Sequence, residues 1–184
     1  MYAIHEKVVY PGHGVAQITR IIERVIAGRK MRYYELKLLS KDMTVLVPIN
    51  SLGQAPIRPV SSKRSVNGAL TILAKPARRL STHEFTASCW NKRNKEYQTK
   101  LKSGGLVDLS EIYRDLRFIE VQKELSFGEK SLLCQIEGLL AEEIALVKKM
   151  SADAAVSYVR SLCSLPGDKP ISKNEHSSPQ VAKE

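Results

Sequence analysis

The chain has 184 residues, 43% hydrophobic and 26% charged, with a net charge of +10. This supplies enough apolar residues for one ordinary domain or two small ones with packed cores, and it excludes wholesale disorder. Nothing approaches the roughly 20 uninterrupted apolar residues of a membrane span, because the apolar-rich stretch 132–150 is broken by Glu137, Glu142, Glu143, Lys148 and Lys149.

The first 60 residues have the period of strands. Residues 7–10 (KVVY) form a short β run, stopped by the tight turn Pro11-Gly12-His13-Gly14. Residues 15–26 follow, rich in Val and Ile, and Ala27-Gly28 marks a hairpin between them and the returning strand 31–39. Lys41-Asp42 turns the chain again, and residues 43–47 (MTVLV) make a further strand ended by Pro48. Short strands joined by tight turns predict a small curled antiparallel sheet or barrel. The strand 43–47 is apolar and little guarded by charge, so it is either internal to its sheet or an edge able to pair with a partner's strand.

Near residue 62 the period changes from two to 3.6. A short helix is predicted over 65–75, ended before Pro76. Ser81 or Thr82 caps a second helix running to about Lys102, which Gly104-Gly105 ends. Asp108 or Ser110 opens a third, to about Glu124, with Ile112, Leu116 and Ile119 at helical spacing. Ser126 and Glu129 have capping-box spacing ahead of a long helix to about Met150. Ser151 caps a last helix to about Leu162, and the Pro/Gly/Ser/Lys-rich residues 166–184 read as a disordered tail. The expected organisation is thus α+β: a β module over 1–60, a connector with a short helix over 61–81, a separate all-helical domain over 82–165, and the tail.

His5, Glu6 and Lys7 stand where a signal peptide needs an apolar run, and Cys89, Cys134 and Cys163 show no CxxC spacing. A cytoplasmic protein with reduced thiols is expected. The basic excess is concentrated: residues 61–103 carry ten Lys/Arg against two Asp/Glu, whereas residues 104–165 carry seven against ten. Such a local excess is the footprint of a nucleic-acid binder, although membrane-surface and ribosomal proteins share it. No enzyme, cofactor or metal is expected, since no HxxxH, GxxxxGK[ST] or GxGxxG occurs and no histidine neighbours a cysteine.

The densest point is Cys89-Trp90-Asn91-Lys92-Arg93-Asn94-Lys95, which holds the chain's one tryptophan. Cations beside an indole can neutralise phosphates while the ring stacks or wedges against a base. The same ring lies on one helical stripe with Tyr97 and Leu101, so core packing explains it equally well. Arg78-Arg79 is a second basic spot, either a wet flank or a phosphate contact. The carboxylates of the later helices read as solvated surface.

These residues resemble a known family. The strand motifs Lys7 to Val15, Ile26-Ala27-Gly28, Tyr34 to Leu38 and Met43 to Pro48 are similar to the RNA-polymerase-interaction module of the CarD/CdnL regulators and of transcription-repair coupling factors. Trp90-Asn91-Lys92-Arg93, Lys100 to Gly104, Arg114-Asp115-Leu116 and Leu125 to Lys130 resemble the regulators' helical DNA-binding domain. The resemblance covers about residues 4–160. It implies a Tudor-like small β-barrel that binds the RNA polymerase β subunit on its lobe or protrusion, followed by a helical domain that lies on promoter DNA. It implies a monomer acting with the σ-bound holoenzyme and holding the open promoter complex. On this resemblance Trp90 takes the position of a minor-groove wedge, and Lys92, Arg93, Lys95 and Lys130 take those of DNA contacts. Arg24, Thr44, Leu46 and Pro48 fall where polymerase is contacted. Some relatives carry a basic or methionine side chain at the place of Leu46, so an apolar contact is expected there. The rival readings are a non-transcriptional RNA- or ribosome-binding module and a plain protein-interaction adaptor.

Overall fold

A computed structural model describes residues 2–49, 57–76 and 87–163. Within them the chain forms β1 (Lys7–Tyr10), β2 (Gly14–Ile26), β3 (Arg29–Leu38), β4 (Thr44–Pro48) and β5 (Arg58–Pro59). Five helices follow: α1 (Lys63–Leu73), α2 (Ala87–Ser103), α3 (Leu106–Gln122), α4 (Phe127–Lys148) and α5 (Ala152–Leu162). Ser81, Thr82, Arg78, Arg79 and the tail 166–184 lie outside the described residues.

The fold is α+β, an antiparallel five-strand sheet of the Tudor-like kind with the helices after it. The sheet order is β4-β3-β2-β1-β5, with every pairing antiparallel. The β1–β2 turn uses positive φ at Gly12 and Gly14, and the β2–β3 turn at Ala27 (φ 49°) and Gly28 (φ 74°). Two successive left-handed residues give the tightest hairpin connection compatible with strand twist. Alternation sends Tyr34, Leu36 and Leu38 of β3 inward, onto Val8, Ala16, Ile18, Val47 and Ile57. Of the two readings of residues 43–47, the edge is observed, since β4 is an outer strand of the described sheet.

The helices close on a second core centred on Ile112, Tyr113, Leu116 and Ile119 of α3 and Ile136, Leu140 and Ile144 of α4, all fully buried. Three serines start helices by accepting a backbone N–H: Ser62 from Ser65 (3.2 Å), Ser126 from Glu129 (3.4 Å) and Ser151 from Ala154 (3.2 Å). The capping box at Ser126–Glu129 is complete in both directions.

Three expectations are corrected. α3 opens at Leu106 rather than at Asp108 or Ser110, because Gly104 (φ 66°) reverses the chain and extended Gly105 already serves as N-cap. Asp108 becomes a first-turn carboxylate favoured by the helix dipole, and Ser110 is buried inside the helix. The helix of the expected connector is no linker: Val66, Ala69, Leu70 and Leu73 of α1 belong to the helical core. Nor are the two modules separate.

They meet along a polar seam. The Arg58 guanidinium donates to both carboxylate oxygens of Glu143 at 2.7 Å and to the Gly104 carbonyl at 2.5 and 3.0 Å. Ser61 N–H donates to the same carboxylate at 2.8 Å. The Val15 N–H donates to Glu142 at 3.1 Å, and the Gln135 amide donates to the Gly12 carbonyl at 3.1 Å. A Cβ at Gly14 would lie 2.2 Å from the Glu142 carboxylate, and one at Gly104 would lie 2.8 Å from Pro11. Both glycines are therefore conditions of the docking. The seam holds only about 10 Å³ of free space, roughly room for one water.

Candidate functional site

Two surfaces gather the residues singled out from the sequence. The first is the outer face of the sheet. Because Tyr34, Leu36 and Leu38 point inward, Tyr33, Glu35 and Lys37 point outward. Their cross-strand partners on β4 are Pro48, Leu46 and Thr44, and on β2 Arg24 stands opposite Met31 and Ile22 opposite Tyr33. Arg24, Thr44, Leu46 and Pro48 therefore share one face. Half-buried Ile22, Met31, Tyr33, Leu46 and Pro48 make an apolar stripe along it, and Arg24 and Thr44 are exposed.

A charged pair borders that stripe. Arg20 grips Glu35 with Nε and Nη2, each at 2.9 Å. The Thr19 hydroxyl donates to the same carboxylate at 2.9 Å. The hydrogen bond from Arg20, then that from Thr19, holds the Glu35 carboxyl below its ordinary value. A register shift between Ile18 and Arg20 brings Arg20 opposite Glu35. The pair therefore stays ionised beside Leu46.

The second surface is the start of α2 where it meets the start of α4. Tyr97 and Leu101 are buried, so the stripe on α2 is a core stripe as its spacing allows. Trp90, at the head of that stripe, is only half-buried and packs on the rim of the core. Its benzo edge lies over Gly128, where a Cβ would be 3.6 Å away. Lys92 and Lys95 are exposed one turn along. Lys130 is exposed and paired with Glu124 at 2.9 Å. Arg93 turns inward: its side chain is 14% exposed and its guanidinium lies 3.6 Å from Glu129.

Glu129 is the hub that holds this surface together, and it corrects the expectation that the late carboxylates are solvated. Its residue is 1% exposed. It receives the Ser126 N–H (2.9 Å), the Ser126 hydroxyl (2.8 Å) and the Lys123 ammonium (2.9 Å). Burial alone would push its carboxyl up. The Ser126 N–H, Lys123 and the Ser126 hydroxyl outweigh burial and hold it below the ordinary glutamate value. A buried anion thereby ties α2 (through Arg93), the end of α3 (Lys123) and the start of α4 into one corner. Among the described residues no three His, Cys, Asp or Glu side chains converge as metal ligands, and no helix is long and apolar enough to cross a membrane.

Comparison with known proteins assigns both halves. Residues 2–61 match the CarD-like/TRCF RID domain, and residues 70–160 match the CarD C-terminal domain. The chain belongs to the CarD/CdnL family. The family is one of bacterial transcription factors, not of enzymes, and its RID domain is an RNA-polymerase-interacting domain. The chain is also 27% identical over 159 residues to a Bacillus subtilis (strain 168) protein named "Putative transcription factor YdeB", covering 86% of this chain and 99% of that one.

Within the CarD/CdnL frame, the RID-domain half carries the outer sheet face and the C-terminal half carries the Trp90 corner. Three features of these surfaces escape sequence reasoning. The Glu129 hub is half-visible, since its capping-box spacing is local, but Lys123 and Arg93 join it only through tertiary packing. The Arg58–Glu143 rivet joins residues 85 positions apart and leaves no local trace. Phe127, inside the capping-box motif, is 90% exposed, which no periodicity announces.

Proposed function

We propose that this protein holds the open promoter complex by two simultaneous contacts. The outer sheet face, with Arg24, Thr44, Leu46 and Pro48, binds the lobe of the RNA polymerase β subunit in the σ-bound holoenzyme. The helical domain lies on promoter DNA, with Lys92, Lys95 and Lys130 near phosphates and Trp90 wedged into the minor groove at the edge of the melted bubble. Arg93 acts there by orienting α2 through Glu129 rather than by reaching a phosphate. The protein works as a monomer in the cytoplasm, brought to the nucleoid by polymerase.

The observation that carries this reading is Trp90 itself, half-exposed at the rim of the core with exposed lysines beside it. A ring buried to the same depth as Tyr97 would have no means to enter a base step. A few phosphate contacts bind weakly and lose strength with salt. Tethering to polymerase supplies a high local concentration without further DNA contacts. Because the wedge fits opened DNA and not paired DNA, its binding shifts the equilibrium toward the open state.

The test is the lifetime of a promoter open complex after competitor challenge. Wild type lengthens it, and Trp90→Ala abolishes the effect while still co-purifying with the β lobe. An unchanged lifetime with Trp90→Ala would overturn the wedge. Failure of the wild-type chain to retain polymerase would overturn the tether.

A further inference from the structure

We propose that Phe127 is a second ring of the DNA contact, working beside Trp90 at the junction where paired bases give way to unpaired ones; this rests on the DNA-binding reading above. Phe127 is the most exposed large apolar side chain among the described residues, at 90%. An exposed phenylalanine forgoes nearly all its burial free energy, so packing does not account for its presence. Its placement is not loose. It is the first residue of α4, held between the Ser126 N-cap and the buried Glu129 of a complete capping box. The next residue, Gly128, lies against the benzo edge of Trp90. The backbone thus presents the phenyl ring from the element that supports the indole.

The electrostatic surroundings select the partner. Lys130 lies three residues along α4, on the same side as Phe127. Its ammonium pairs with Glu124, itself 87% exposed. A pair so open to water contributes little and exchanges readily for a phosphate. Lys92 and Lys95 are exposed on the neighbouring helix. An apolar protein partner would meet a desolvation cost at each of these ammonium groups, whereas a polyanion with flat bases satisfies both the charges and the rings. Trp90 wedges at the base step; Phe127 stacks on, or packs against, the adjoining unpaired base.

The experiment is anisotropy of labelled DNA with the full-length chain at low salt. A forked DNA, duplex with unpaired arms, is compared with the fully paired duplex of the same sequence. Loss of one base–aromatic stack weakens binding on the order of tenfold. Phe127→Ala is expected to lose about that factor on the fork and under twofold on the duplex. Phe127→Tyr keeps wild-type affinity on the fork. The melting temperature of Phe127→Ala is expected to stay within about 2 °C, because an exposed first-turn residue carries no core contact and alanine is the better helix former. Wild-type fork affinity in Phe127→Ala overturns the second ring and leaves the Trp90 reading intact. An equal loss on fork and duplex also overturns it, since that would mark a general backbone contact. Absence of fork binding by the wild type overturns the DNA-binding reading, and this inference with it.

Discussion

Replacing Arg58 with methionine tests the seam most sharply. The change keeps the aliphatic stem and removes the guanidinium that reaches Glu143 at 2.7 Å twice and the Gly104 carbonyl at 2.5 and 3.0 Å. Glu143, with its side chain 2% exposed, keeps the Ser61 N–H as its one hydrogen-bond donor among the described residues, and the Gly104 carbonyl loses the Arg58 guanidinium. Removing one partner of a fully buried ion pair costs about 3–5 kcal/mol. Arg58 is 23% exposed, so water screens part of that, and about 2–4 kcal/mol is expected. For a chain of this length each kcal/mol moves the melting temperature by roughly 2–4 °C, which gives a fall of roughly 5–15 °C by calorimetry. Arg58→Met combined with Glu143→Leu should recover much of the loss, because an apolar pair removes the stranded charge. A melting temperature within about 2 °C of wild type in the single variant would refute the claim that this pair joins the modules. A double variant no more stable than the single one would shift the cause to the Gly104 carbonyl.

Further outcomes follow from the same geometry. Gly14→Ala should destabilise by about 2 kcal/mol in urea unfolding, since φ 108° strains any side chain and the new Cβ displaces Glu142 from the Val15 N–H. Ser126→Ala should cost about 1 kcal/mol through the lost cap and should weaken DNA binding with it, because Glu129 then loses a donor. Leu46→Asp should abolish retention on the polymerase β lobe while the helical far-ultraviolet signal is unchanged, retention being the result that refutes the outer-face contact. In acid, Glu129 and Glu137 act alike. Burial opposes ionisation at both, but Ser126 and Lys123 at one, and Arg160 and Tyr113 at the other, hold them below the ordinary value of 4.5. A lowered carboxylate stabilises the folded chain above its unfolded pKa, and that stability is lost as pH falls through the folded pKa. Melting temperature should therefore drop below about pH 4.5, and Glu129→Gln or Glu137→Gln should flatten the drop. Asp115, raised by burial, works in the opposite sense. A slope unchanged in both variants would refute the assignment.

What could be read in advance was whatever is encoded locally. The Ala27-Gly28 hairpin, the Ser126–Glu129 box, the Ser151 cap and the change of period each need only neighbouring residues, and each lies where its spacing puts it. The alternation of β3 even places Arg24, Thr44, Leu46 and Pro48 on one face once the register is known. Gly104-Gly105 misleads for a physical reason: one glycine ends a helix and the next begins another, so Leu106 looks like loop. The carboxylates mislead more deeply. Glu129 and Glu143 resemble the solvated glutamates of any acidic helix, and only the cations that other segments deliver, Lys123 from the end of α3 and Arg58 from the sheet, make them interior groups, while half-buried Glu142 takes the Val15 N–H. A buried charge is defined by its partners, and partners remote in sequence have no period.

Arg58 belongs to the last strand of the sheet, and only a few residues separate it from the start of α1. The same stretch of chain that crosses from one module to the other also carries the guanidinium that fastens them. The crossing therefore cannot swing as a tether between beads would. A displacement imposed on the sheet by whatever grips it must be handed to α4, and α4 begins beside the indole. The seam thus couples the two modules instead of leaving them as beads on a linker. On the reading proposed above, where the sheet is gripped would set where along the DNA the rings come to rest, so position would be measured out by length alone, without reading a base.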